Sequence, residues 1–292
     1  MARINKYTIK DLKKNFPNDD ACLDVIYDAN HSRDCSCGGT YKRVKNRKQY
    51  QCSKCRFQIA PTSGTIFHKS DTPLTDWFYA LFIFSNAKSG ISAKELERQL
   101  GVTYKCAWRM LKQIRKALGQ DTDRLDGTVE MDVAYFGGRF RSGKNNERQR
   151  EAMQAKTTVM GAVARDGELR LKVVPDASAK TINAFLETNV APTAQLVTDD
   201  AKTYTHSASD YNRSVIKHSE KYANKGVHIN NIETVWGHIK RSLRGVQKGV
   251  SKHEMQSYLD VFAFHYNNRY NDMERFGVLL GTVLRASRAL KN

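Results

Sequence analysis

The chain has no run of about 18 or more apolar residues, so no membrane-spanning helix is expected. Its opening stretch, MARINKYTIKDLKKNF, lacks the apolar segment of a secretory signal, so export is not expected either. Acidic residues are few beside basic ones: 30 Asp and Glu against 48 Lys and Arg give a formal charge of +18 over 292 residues. That deficit calls for a polyanionic partner. The basic residues are spread along the chain and not gathered on one amphipathic helix, which favours nucleic acid over a membrane surface. Cysteine is also sparse, with four of the six residues falling between positions 35 and 55. In a cytoplasmic, nucleoid-associated and reducing setting, clustered thiols more often hold metal than form disulfides. The length accommodates a catalytic domain with one or two small modules.

The cluster reads as two knuckles, CSCGG with Cys35 and Cys37 and CSKC with Cys52 and Cys55, separated by the basic, Tyr-rich and strand-like TYKRVKNRKQYQ. Two such knuckles can place four thiolates around one Zn²⁺ and stabilise a piece too small for a core of its own. Residues 31–70 are therefore expected to be a zinc ribbon, preceded by a helical segment over 1–30. The first knuckle is C-x-C instead of C-x-x-C, which leaves Asp34 or His31 as competing ligands. Cys22 and Cys106 read as small core hydrophobes. Phe57, Ile59, Ile66 and Phe67 read as a strand and turn, and Thr75 as the cap of an apolar helix reaching Phe84.

Residues 71–120 carry a helix-turn-helix pattern. Ser92 with Glu95 forms a capping-box signature, Leu96 and Leu100 share a face, and Gly101 makes the turn. Thr103 then opens a second helix that turns Ala107, Leu111 and Ile114 inward. In that geometry the second helix enters the major groove of double-stranded DNA. Tyr104, Lys105 and Arg109 are then the expected base readers, with Lys112, Arg115 and Lys116 at phosphates.

From residue 125 to 272 the pattern becomes that of an α/β domain. Val129, Met131 and Val133 alternate with Glu130, Asp132 and Ala134, the period of a strand buried on one face, which places Asp132 on the face away from the core. The basic loop GGRFRSGKNNERQREAMQAK follows, with Arg139, Arg141 and Lys144 expected near DNA. Strands are expected over Thr157–Ala164 and Glu168–Val174, a helix capped by Ser178, strands at Gln195–Thr198 and Arg213–Lys217, and a long helix from about Asn230. Three antiparallel strands, a helix, two more strands and a final helix give a ribonuclease H-like core with a mixed five-stranded sheet. Asp199 ends one strand, facing the crevice. Glu233 and Lys240 lie two turns apart on a helix face shared with Trp236, and Arg241 beside them is expected at DNA. Lys252 to Arg269 reads as a core helix through Met255, Leu259, Phe262, Ala263 and Tyr266. Asn267, Asn268 and Arg269 are available to brace the crevice or hold phosphate, and 273–292 forms a tail packing in cis or on a partner.

The blocks VEMD…GG, VTDD, H-x-N-x-I-E-x-x-W-x-x-x-K-R-x-L-R-G and FAFHYNNR resemble the DDE transposases of bacterial insertion sequences, in particular the insertion-sequence 1595 family with its Merlin relatives. The resemblance implies Asp132, Asp199 and Glu233 as a metal-binding triad, Lys240 as its basic companion and Asn230 as a supporting residue. Departures from the family pattern are Val133, where relatives commonly carry an acid, and the shortened first knuckle. The implied chemistry uses two Mg²⁺ or Mn²⁺ ions for attack of water, then of the freed 3′-hydroxyl, on DNA phosphodiesters. Two element ends call for a homodimer or larger assembly on DNA. A domesticated regulator that no longer cuts, and a structure-specific nuclease with the same core, are the alternatives.

Overall fold

A computed structural model describes residues 6–120, 122–137, 156–201, 203–204, 211–216 and 228–289. In chain order the first elements are α1 (Ile9–Asn15), α2 (Asp19–Asn30), β1 (Tyr41–Arg43), β2 (Tyr50–Cys52), β3 (Gln58–Ile59), α3 (Leu74–Asn86), α4 (Ala93–Leu100) and α5 (Tyr104–Ala117). They are followed by β4 (Thr128–Phe136), β5 (Thr157–Ala164), β6 (Leu169–Val174), α6 (Ala179–Asn189), β7 (Gln195–Asp199) and β8 (Asn212–Ile216). Last come α7 (Asn230–Gly245), α8 (Met255–Asn267) and α9 (Arg275–Ala289). These assemble into two compact units, Met1–Leu118 with Tyr270–Asn292, and Gly119–Arg269.

In the first unit β1, β2 and β3 form a small antiparallel sheet around the cysteine knuckles. The helix α3 buries Leu74, Trp77, Phe78, Ala80, Leu81 and Phe84, as its nearly all-round apolar sequence requires. Its start is not capped by Thr75. Asp19 of α2 does so from outside, its Oδ1 accepting from the Thr75 amide at 3.0 Å and hydroxyl at 3.1 Å. A short α3 preceded by Pro73 has no side chain of its own in capping position, so a neighbouring helix supplies the oxygen. The tail helix α9 packs in cis on α2, α3 and α5, with Phe276 stacked on Tyr7 at 5.0 Å. In the α4–α5 pair, Gly101 at φ +67° makes the turn, and Ser92 and Thr103 each accept from the amide three residues on. The Glu95 carboxylate turns instead to Arg98 and Gln99.

The second unit is a five-stranded mixed sheet in the order β6-β5-β4-β7-β8. Its first strand, β4, lies in the middle, antiparallel to β5 and parallel to β7; β5 and β6 are antiparallel, β7 and β8 parallel. This is the ribonuclease H-like arrangement. Val129 and Met131 pack with Ile182, Phe185 and Leu186 of α6 on one face. Ala134 and Phe136 pack with Ile232, Val235, Trp236 and Ile239 of α7 on the other. Both faces of β4 are thus covered, so Asp132 lies under α7 and not on a face left open to solvent. Alternation alone cannot distinguish a solvated face from a second, partly polar interface.

The edge strand β6 is closed by side-chain amides. Asn267, Gln120 and Gln256 accept from the amides of Leu169, Leu171 and Val173 at 2.8, 2.7 and 2.8 Å. Three alternate donors that an edge would offer to another chain are occupied in this way. Arg269 donates to the Gly167 carbonyl at 3.0 Å and Asn268 to the Phe264 carbonyl at 2.8 Å. The YNNR block therefore fastens the β5–β6 turn and edge, not the crevice.

Candidate catalytic and nucleic-acid-binding sites

Asp132 sits mid-way along β4, Asp199 is the last residue of the adjacent β7, and Glu233 lies in the first turn of α7. Parallel pairing of β4 with β7 brings the first two acids to neighbouring strands. The third is positioned by two contacts between β4 and α7. The α7 N-cap, Ile229, has no side-chain acceptor to offer its first turn. Fully buried Glu130 supplies one: its Oε2 accepts from the Asn231 amide at 2.9 Å and the Ile232 amide at 3.3 Å. Its Oε1 accepts from the Asn231 side-chain amide at 2.9 Å and from Arg165 Nε at 3.0 Å. A carboxylate at these orphan amides is favoured by both hydrogen bonding and the helix dipole.

Two residues along the same face, Asp132 Oδ2 accepts from Trp236 Nε1 at 2.9 Å while its Oδ1 accepts from the Val133 amide at 2.7 Å. The indole reaches this position because the residue paired with Asp132 across β4–β5 is Gly161. A Cβ there would stand 2.6 and 2.8 Å from Cη2 and Cζ2 of Trp236 and 2.9 Å from Cδ1 of Ile232. Glycine is thus a space requirement under α7. Burial pushes the Asp132 carboxyl above the usual carboxylate range, against the pull of its Val133 and Trp236 hydrogen bonds, and the charges of Asp199 and Glu233 raise it further. Asp199 and Glu233 are thus each near enough to Asp132 to act on its carboxyl. Among the described residues the four cysteines are the one group whose ligand atoms lie close enough together to hold an ion, and the three acids are not drawn that near one another; their carboxylate oxygens are the donor type that a hard divalent cation takes.

Trp236 is buried against the sheet, whereas Glu233 and Lys240 are exposed on α7; the three do not share one solvent face. Asn230 is exposed, its carbonyl accepting from Thr234 Oγ1 at 2.7 Å, and it is the next residue, Asn231, that turns to Glu130. Near Asp199, Arg213 Nε donates to Thr198 Oγ1 at 3.0 Å. Tyr204 is buried, and its hydroxyl has no hydrogen-bond partner among the described residues. Burial, with Asp132 and Asp199 nearby, raises its pKa.

The cysteine cluster has a different character. Its four Sγ atoms lie within 4.8 Å of one another, with Cys35 to Cys55 at 3.7 Å and Cys37 to Cys52 at 3.4 Å. Tetrahedral thiolates at the usual Zn–S length are about 3.8 Å apart, so the set fits zinc. Both Cys35 and Cys37 belong to the group; Asp34 and His31 do not. The Cys37 amide, with the Tyr41 hydroxyl, pulls the Cys35 thiol down to about 6, favouring the ligand form. Gly39 is required here because a Cβ would come within 2.7 Å of Cys52 Sγ. Cys22, by contrast, is buried and pushed up to about 12, as befits a core residue.

On α5, Tyr104, Lys105 and Lys116 are exposed, and Arg109 donates to the His68 carbonyl at 2.7 Å. Lys112 lies half-buried with Nζ 4.9 Å from the Trp108 ring centroid. Arg115 departs from expectation. It is buried on the side of Leu111 and Ile114, so its aliphatic stem serves the helix interior and it offers no exposed charge to a phosphate. Arg241 is exposed beside His238. Arg139, Arg141 and Lys144 lie outside the described residues.

Glu130, Arg165, Asn231 and Gly161 were not singled out by sequence. The one available signal was a second acid, Glu130, two residues before Asp132 on the same strand face. Among the described residues, no helix is long and apolar enough to cross a membrane.

Residues 124–267 match the ISXO2-like transposase domain family. An uncharacterized protein in transposable element ISH50 of Halobacterium salinarum is 24% identical over 230 residues, covering 74% of this chain and 77% of that protein. Among solved structures, the simian T-cell lymphotropic virus intasome in complex with PP2A regulatory subunit B56 gamma aligns over 69% of this chain and 72% of its own, at 11% identity and a TM-score of 0.31. A pre-cleavage Mos1 transpososome aligns over 73% and 77%, at 13% identity and a TM-score of 0.27.

Proposed function

Since residues 124–267 belong to the ISXO2-like transposase domain family, we propose that the chain binds the terminal inverted repeats of its own element, cuts DNA there and joins the freed ends to a target. The observation that carries this reading is the placement of the three acids: Asp132 mid-way along central β4, Asp199 at the end of its parallel neighbour β7, and Glu233 in the first turn of α7, the helix whose Trp236 donates to Asp132. In this reading the three carboxylates hold Mg²⁺ or Mn²⁺. Such ions, when bound, supply the positive charge that a pentacovalent phosphate needs and ease deprotonation of the attacking oxygen. The protein's own part is to fix the acids. Glu130 anchors the first turn of α7, and Trp236 holds one Asp132 oxygen, leaving the remaining lone pairs for ligand. Lys240, exposed on α7, is the residue that this reading assigns to the DNA backbone.

In the first step the oxygen of a water attacks phosphorus and the P–O3′ bond breaks, leaving a 3′-hydroxyl and a 5′-phosphate. In the second, that 3′-hydroxyl attacks a target phosphorus and a target 3′-oxygen leaves, so one phosphodiester forms for each that breaks. The cysteine cluster holds structural Zn²⁺, and α5 with its preceding turn contacts double-stranded DNA. Two ends handled together imply a homodimer or larger assembly on DNA.

The test is incubation of the purified chain with its own flanking repeats and a plasmid target, with and without Mg²⁺. Metal-dependent nicking and joining by the wild type, both abolished in Asp132→Asn, are expected. Wild-type nicking by Asp132→Asn contradicts the reading. Binding without cutting favours a regulator, and cutting without joining a nuclease.

A further inference from the structure

The helix α5 bears five basic residues and no acidic one, yet its exposed stripe is not simply basic. Tyr104, Trp108 and Lys112 recur at every fourth position and so lie along one face, bordering the stripe of buried Ala107, Met110, Leu111 and Ile114. Tyr104 is 46% exposed and Trp108 43% exposed. Each ring carries a lysine: Lys94 Nζ lies 5.4 Å from the Tyr104 centroid, and Lys112 Nζ 4.9 Å from that of Trp108. Two large aromatics left in water on one stripe are a cost unless a partner covers them. The ammonium groups across them exclude a purely apolar partner and a basic one. A duplex groove meets both demands, since it offers phosphates to the lysines and, in the major groove, thymine methyl groups and base edges to a flat ring.

We infer that Trp108 is a sequence-discriminating contact of α5 with double-stranded DNA, lying along the helix between Lys105 and phosphate-directed Lys112. This rests on the reading of α5 as a DNA-binding helix and adds to it a residue that charge alone does not suggest. Discrimination follows from chemistry: an indole edge gains from a thymine methyl and loses against an exposed polar base edge, whereas lysines at phosphates are indifferent to sequence.

The chain provides its own probe. Of its three tryptophans, Trp77 and Trp236 are buried, so acrylamide quenching of intrinsic fluorescence reports on Trp108. The full chain is titrated with a short duplex of its element's terminal repeat and with a scrambled duplex, while binding is followed independently by anisotropy of labelled DNA. Saturation with the repeat is expected to remove the quenchable component, which is absent in Trp108→Phe. Trp108→Ala is expected to weaken binding to the repeat about tenfold, the loss of one base contact, and to leave scrambled-duplex affinity within about twofold. Circular dichroism of Trp108→Ala should match the wild type. Repeat DNA bound by anisotropy while Trp108 stays fully quenchable overturns the inference and spares the DNA-binding reading. Equal weakening toward both duplexes also overturns it, as does protection that grows with protein concentration without DNA, since a second copy then covers the stripe. Absence of binding to either duplex removes both the inference and the reading beneath it.

Discussion

Gly161, Trp236 and Asp132 form a unit in which the missing side chain of the first makes room for the second, and the second orients the third. Gly161→Ala is expected to destabilise the protein by about 1–3 kcal/mol, because the new methyl drives the indole out of a packed position. Because the Trp236–Asp132 hydrogen bond is lost with it, Mg²⁺-dependent nicking should fall further than the lost stability alone explains. Thermal unfolding and nicking at a temperature where the variant is folded separate the two; an unchanged melting temperature contradicts the space argument. The positions of the three acids within their elements were legible in the sequence, because periodicity and caps already put them mid-strand, at a strand end and in a first turn. Gly161 was not legible, since nothing near it in the chain says which strand residue it pairs with or that a tryptophan 75 positions on lies above it (236 − 161). Glu130 was hidden for the same reason. Its partners, Arg165 and Asn231, are 35 and 101 residues away.

The elements were readable wherever caps and periodicity agree, as at Ser178 and Thr103, and less so where a neighbour supplies the cap, as Asp19 does for α3 and Glu130 for α7. At α6, Asp176 is held down to about 2 by hydrogen bonds from Thr181 and Ser178. A depressed acid binds fewer protons folded than unfolded, so its contribution is fully present above its ordinary value near 3.8 and is lost as pH falls toward about 2. The stability difference between wild type and Asp176→Ala should therefore shrink over that window in acid-unfolding curves; a constant difference contradicts the assignment. The ribbon makes a separate prediction. Zinc removal by a strong chelator should expose four thiols to a thiol reagent under native conditions, while Cys22 remains slow because burial pushes it up to about 12. Release of one zinc per chain is the matching metal reading. Four thiols already fast before chelation would contradict a zinc-held cluster.

For the whole molecule, the +18 formal charge predicts DNA binding that weakens steeply with salt, as several Lys and Arg displace condensed counterions. A plot of log affinity against log salt with a slope near zero would contradict it. The charge class could be read from composition, but which basic residues face outward could not, as buried Arg115 and His68-bound Arg109 show. The most direct test of the central claim, that Asp132, Asp199 and Glu233 share one cation-binding site, is Mn²⁺ titration followed by electron paramagnetic resonance. Wild type should bind Mn²⁺, and Asp132→Asn, Asp199→Asn and Glu233→Gln should each weaken the same binding, about tenfold or more, with double variants losing less than the sum. Mn²⁺ affinity left unchanged by Glu233→Gln and Asp199→Asn would contradict the account.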